Sequence, residues 1–215
     1  MRKRKTYGQF CALARALDHV GDRWTLLIVR ELLPGRRRFA ELAVGLPGVA
    51  PNLLVDRLRS LQASGMVERS AHPPRSASVT YALTDLGRGL EEPVHALIRW
   101  GATWMHTGPD GDHVDPRWGA IALKAMLDDP SMTEPSGRLG VQIGEEHLVI
   151  EIGSHGRRVS LADPAAGIDA RVQGDLPALL AVAAGTATMP ASSVRVEGDA
   201  AFAAAAMTPT QGART

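Results

Sequence analysis

Pro51-Asn52-Leu53-Leu54-Val55-Asp56-Arg57-Leu58-Arg59-Ser60-Leu61-Gln62-Ala63-Ser64-Gly65 reads as a single helix with a start, a buried face and a stop. Pro51 suits the first turn, where its missing N–H would have no intrahelical acceptor anyway. Leu54, Leu58 and Leu61 recur at helical spacing and line the inner face, with Leu53 beside them. Gly65 supplies a C-terminal stop. Just upstream, Phe39 to Leu46 reads as a short helix with Phe39, Leu42 and Leu46 apolar, followed by the turn Pro47-Gly48. Just downstream, Met66–Ser70 and Val79–Leu83 read as two strands around a polar, proline-bearing tip at residues 71–78.

Further upstream, Phe10 to Val20 is helical, with Phe10, Leu13, Ala14, Leu17 and Val20 on one face. Gly21-Asp22 breaks it, and Asp22 is expected to cap a helix from about Arg23 to Leu33. Trp24, Leu27, Ile28 and Leu32 are expected to point inward from that helix, and Pro34-Gly35 stops it. Helices followed by a two-stranded ribbon are the order of a winged helix-turn-helix. Thr84-Asp85 can cap a long helix to about His106, kinked at Pro93. Its stripe of Leu86, Leu90, Val94, Leu97, Gly101 and Trp104 is longer than this region needs, which suggests a partner subunit.

Charge divides the chain. Residues 1–105 hold 16 Lys and Arg against 9 Asp and Glu, a balance of +7, whereas residues 106–215 stand at −6. A basic half beside an acidic half assigns any polyanion to the first half. In a helix-turn-helix the start of the second helix meets base edges in the major groove. Here those residues are Ala50, Pro51, Asn52 and Val55, with Arg59 one turn on. Asn52 suits adenine and Val55 a thymine methyl. Arg57 points less directly at the groove and is expected to pair with Asp56 or Glu41. Arg36, Arg37 and Arg38 precede the helix pair, and Arg69, His72 and Arg75 lie on the ribbon. Both sets suit phosphate contacts, which fix position and bring salt dependence. The plainer alternative is a set of solvated charges on a compact helical domain.

After Thr107–Asp115, a Gly/Pro/Asp-rich linker, Pro116–Leu127 reads as a helix. From Arg138 the period becomes two. Leu139–Ile143, Leu148–Ile152, Val159–Leu161 and Ile168–Val172 alternate as half-buried strands, with turns at Gly144-Glu145-Glu146 and Ser154-His155-Gly156. Asp175 caps a helix through Ala184, Ser193–Val196 is a last strand, and Asp199 caps a closing helix. The expected class is α+β: a winged helix-turn-helix domain plus a C-terminal α+β domain with a small, mostly antiparallel sheet.

Other functions lack their signatures. No run of about 18 apolar residues offers a membrane span. The basic start has no apolar run behind it, so no secretory signal is expected. The only cysteine, Cys11, precludes an intrachain disulfide. A cytoplasmic protein is expected. His147, His155, Glu145, Glu146 and Glu151 lack metal-site spacing, and Glu151 falls on the solvent side of its strand. With no nucleophile elbow and no phosphate loop, neither an enzyme, a metal nor a cofactor is expected.

Several blocks in order carry a resemblance. Cys11–Leu17, Gly21–Leu32, Gly35–Leu42, Pro51–Leu58, Gly65–Arg69, Tyr81–Gly87 and Trp100-Gly101 resemble the HxlR family of transcription regulators, over about residues 7–106. The resemblance implies a homodimer of MarR-related winged helices, joined by the first and last helices of the domain. It further implies a two-fold operator on double-stranded DNA, its half-sites about one helical turn (~34 Å) apart, and most often repression. In redox-responsive members a cysteine at the start of the first helix senses thiol-reactive compounds, and Cys11 stands there. Its plainer role is that of a small buried hydrophobe.

The last hundred residues depart from that family's usual length. Their successive strands, with Gly174–Leu180, Ala184–Thr186 and Val194–Asp199, are similar to the sterol-carrier-type fold, which holds lipophilic molecules between sheet and helices. The resemblance implies an effector pocket lined by residues such as Ile143, Ile150, Leu161, Leu180 and Met189, unless these are ordinary core. The domains expected are 1–106 for DNA binding and dimerisation, 107–115 as linker, and 116–210 for ligand. The function expected is a DNA-binding repressor modulated by a lipophilic effector. The alternatives are a thiol sensor acting through Cys11 with a purely structural C-terminal domain, and a lipid carrier.

Overall fold

Local signals set most of the elements in the computed structural model, which describes residues 6–71, 79–105, 110–164, 167–189 and 193–209. The chain forms two compact units that divide after Val94. The first unit contains α1 (Ala12–Val20), α2 (Thr25–Leu32), β1 (Arg37–Arg38), α3 (Phe39–Val44), α4 (Pro51–Ala63), β2 (Val67–Ala71), β3 (Val79–Leu83) and α5 (Asp85–Arg88). α6 (Glu91–Gly101) crosses the division and ends in a 3-10 turn at Ala102–Trp104. The second unit adds α7 (Pro116–Leu127), β4 (Gly137–Ile143), β5 (Glu146–Gly153), β6 (Gly156–Ser160), β7 (Ala170–Gly174), α8 (Leu176–Ala183), β8 (Val194–Gly198) and α9 (Ala200–Met207). No described helix is long and apolar enough to cross a membrane.

In the first unit, Ile28, Leu32, Leu42, Leu54, Leu58 and Leu61 are buried together with Met66 and Leu83. The three strands pair antiparallel in the order β1-β3-β2. β1 was not anticipated, because two residues carry no readable alternation. Gly65 takes φ +73 and lets the chain leave α4 for β2.

Three expectations fail here. Leu27 is 41% exposed rather than inward. Asp22 does not cap α2, which begins later, after Trp24 in a left-handed conformation (φ 77). The long helix from Thr84 is interrupted at Gly89-Leu90. Thr84 does cap its start, accepting from Gly87 N–H at 3.2 Å. Pro93, however, has no N–H for the Gly89 carbonyl four residues back, and its ring crowds that carbonyl. The chain therefore restarts as α6 instead of kinking.

In the second unit the sheet order is β6-β5-β4-β7-β8, antiparallel throughout except for β4 beside β7. Alternation sends Leu139, Val141, Ile150, Ile152 and Val172 into a core shared with Leu123 of α7, Leu179 of α8 and Phe202 of α9. The opposite face carries Glu151, Arg195 and Glu197, all exposed as the alternation requires. Helix starts follow their caps: Asp115 accepts from Arg117 N–H at 2.9 Å, Asp175 from Ala178 N–H at 2.8 Å, and Asp199 from Phe202 N–H at 2.9 Å.

Candidate nucleic-acid interface

The helix pair α3 and α4 is joined by a turn in which Gly48 has φ +86, and Ala50 is extended before Pro51. α3 is closed at its start by Glu41, whose Oε2 accepts from Arg38 N–H at 2.6 Å. Burial of Leu54, Leu58 and Leu61 fixes the rotation of α4. Residues at the complementary spacing must then face outward. Pro51, Asn52, Asp56 and Arg59 are exposed, and Val55 is half-buried on the same side. The Arg59 guanidinium lies 3.9 Å from Asp56, a long and exposed pair that leaves it free to be exchanged for another anion.

Arg57 is on the flank of this row, and its partner differs from the one expected. It pairs with Asp22 at 3.1 Å and donates to Arg23 O at 3.2 Å, not to Asp56 or Glu41. Asp22 is thereby taken from capping to clamping, since Arg57 holds the middle of α4 to the turn before α2. The expected partners, Asp56 and Glu41, are not the ones used, because this contact joins α4 to a turn 34 and 35 residues earlier.

The basic residues around α4 divide by engagement. Arg36 is tied to the ribbon, donating to Glu68 at 2.9 Å and Ser70 Oγ at 3.1 Å. Arg37 is half-buried and Arg38 exposed on β1, opposite Tyr81 and Thr80 of β3. Arg69 is exposed on β2. His72 and Arg75, expected at the ribbon tip, lie outside the described residues.

Cys11 is exposed, immediately before α1. Within the single chain its side chain is therefore not enclosed by the core. Tyr7, Phe10, Leu13 and Leu17 are exposed around α1. Separately, Leu97, Trp100, Trp104 and Met105 are exposed along α6 and the turn after it. Of the residues expected around an effector, Ile143 and Ile150 are fully buried in the sheet core, while Leu161, Leu180 and Met189 are partly buried against it. A shallow surface depression is lined by Pro135, Ser136, Asp169, Asp199, Ala201 and Phe202, and includes none of the five. Among the described residues, no group of three His, Cys, Asp or Glu side chains is placed to hold a metal ion.

Residues 19–109 match the family model described as HxlR-like helix-turn-helix. The chain is 34% identical over 91 residues to YvaP of Bacillus subtilis (strain 168), an HTH-type transcriptional regulator described as uncharacterized. That match covers 42% of this chain and 84% of YvaP. It is 33% identical over 98 residues to another such regulator, sll1512 of Synechocystis sp., covering 46% of this chain and 73% of that one. Among solved structures it is similar to the reduced form of the transcriptional regulator YodB from B. subtilis, with a TM-score of 0.41 and 29% identity. That likeness covers 46% of this chain and 99% of YodB.

Proposed function

The chain belongs to the HxlR-like helix-turn-helix family of DNA-binding transcription regulators, and from that premise we propose that it is a homodimeric repressor that reads a two-fold operator through α4. The observation that carries this reading is the outward row of α4. Asn52, Val55 and Arg59 share one side of a helix whose other side is locked into the core. In this reading Asn52 contacts adenine and Val55 packs on a thymine methyl. Pro51 brings the backbone close, and Arg59 reaches a base or phosphate. Arg37, Arg38, Arg69, His72 and Arg75 contact phosphates, joined by Arg36 if it exchanges Glu68 for DNA.

A second copy of the chain would cover the apolar side chains exposed on α1 and, separately, those along α6. Two recognition helices related by a two-fold axis then meet half-sites about one helical turn (~34 Å) apart. Residues 1–106 form the DNA-binding and dimerisation part in this reading, and residues 116–210 the sensing part.

What supports a sterol-carrier-type reading of the second unit is that helices pack over one face of its sheet around an apolar interior. We propose that a lipophilic effector enters beside Leu161, Leu180 and Met189, whose partial burial leaves them reachable, and extends toward Ile143 and Ile150. It would modulate operator binding by favouring one of two dimer states. A thiol response is the second reading, favoured by the exposure of Cys11 just ahead of α1.

Footprinting of the chain on the DNA upstream of its own gene, followed by titration of Asn52→Ala and Arg59→Ala, tests the α4 assignment. Each substitution is expected to weaken operator binding by about 1–3 kcal/mol, Asn52→Ala with little effect on random DNA and Arg59→Ala with an equal loss on random DNA if its contact is to phosphate. Unchanged operator affinity would refute it. Loss of operator binding on adding diamide, abolished by Cys11→Ser, is expected if the thiol reading holds.

A further inference from the structure

The two edges of the C-terminal sheet are finished in different ways. At β6, Arg157 N–H donates to Asp129 O at 2.7 Å and Asp129 N–H to Arg157 O at 2.8 Å. Asp128 Oδ1 accepts from Val159 N–H at 3.1 Å. That edge is sealed by the chain itself. At β8, no hydrogen bond among the described residues crosses the outer edge. A bare edge presents N–H and C=O groups that another strand can satisfy, and sheets avoid this with charged side chains, proline, very short strands, bulges or a cover.

β8 (Val194–Gly198) contains no proline, and its two charges are of opposite sign. Val194 and Val196 face the core, while Arg195 and Glu197 stand on the opposite face, exposed. Neither has an ion-pair partner among the described residues. Two antiparallel copies of one strand, centred on a given residue, set the residue before it against the residue after it. Centred on Val196, this places Arg195 opposite Glu197 of the second copy, twice by symmetry. Centred on Arg195 or Glu197, the same strands oppose like charges.

We infer that β8 is a self-association edge, on which a second copy of this chain docks its own β8 antiparallel, centred on Val196. The two five-stranded sheets then run on as one of ten strands, and Val194 and Val196 continue the apolar face across the join. On the outer face the charges alternate, since Glu197 already lies opposite Arg171 of β7. Opposite charges directly across strands stabilise and like charges destabilise, so the sequence of β8 selects this register.

The test uses the full chain with Cys11→Ser, which removes the only native thiol, and Val196→Cys, which faces itself in the proposed register. Under diamide, non-reducing gels are expected to show a disulfide-linked pair. Adding Arg195→Glu sets glutamates against each other and should slow cross-linking by about tenfold. Adding Glu197→Arg to that variant restores opposite pairs and should restore the rate. Thermal melting checks that each variant is folded as the parent is. No cross-link in the parent, an equal rate with Arg195→Glu, or no recovery in the swapped variant would each overturn the inference.

Discussion

Arg157 is fully buried, and its guanidinium donates to the Leu127 carbonyl at the end of α7 and to Ala206 O (3.1 Å) and Thr208 O (2.6 Å) at the end of α9. Helix C-termini leave carbonyls without intrahelical donors and carry partial negative charge, so one cation closes two helices. Burial pushes its pKa down, while Asp129 and Asp128 oppose this. Removing it leaves those carbonyls unpaired. Arg157→Ala is expected to destabilise the C-terminal unit by about 3–5 kcal/mol, read by denaturant unfolding. Arg157→Lys should recover little, since an ammonium lacks the planar fork. Asp115 has a pH consequence. The hydrogen bond from the Arg117 side chain holds its carboxyl below the usual 3.8, against the opposing effect of burial. The stabilisation it provides is therefore complete above the unfolded value and disappears as pH falls through the lower folded value. Asp115→Asn should flatten that part of an acid-unfolding curve. Asp115, Asp175 and Asp199 each precede a helical pattern, and the caps at Asp175 and Asp199 could be read from that alone. Arg157 could not, because its three acceptors come from elements some 30 to 51 residues away.

Elements with strong periodicity were the legible ones. α4 and α7 start at their prolines, and the strands of the second unit follow the period of two. The reading failed where long-range contact decides. Leu27 has the right spacing for the core of its own chain yet is exposed, and Asp22 has the right position for a cap yet is drawn to Arg57. Two glycines mark close packing within units. A Cβ on Gly87 of α5 would lie 2.0 Å from the Met66 carbonyl oxygen, and one on Gly119 of α7 2.1 Å from a Leu176 methyl. Backbone cannot yield as a leucine rotamer can. Gly87→Ala is therefore expected to cost about 1–3 kcal/mol and Gly119→Ala less, compared by thermal or denaturant unfolding of the two full-length variants. An equal cost would show that the Leu176 side chain has no freedom to move.

At the scale of the whole chain, the division of charge was visible from composition, and so was the division of architecture: helices and a short ribbon first, an alternating sheet afterwards. A pocket was not legible, because alternation shows which residues face the interior and not whether the interior has room. Ile143 and Ile150 illustrate this, being as inward as expected and wholly enclosed. If the second unit senses an apolar molecule, a fluorescent fatty-acyl probe should bind the full chain and shift its operator affinity. Binding without such a shift would favour a carrier. The most direct measurement is operator affinity as a function of salt, for the parent and for Asn52→Ala. The parent should weaken steeply as salt rises. Asn52→Ala should follow a parallel line displaced to weaker binding, since a base contact contributes specificity and no counterion release. Superimposed lines would contradict a recognition role for α4.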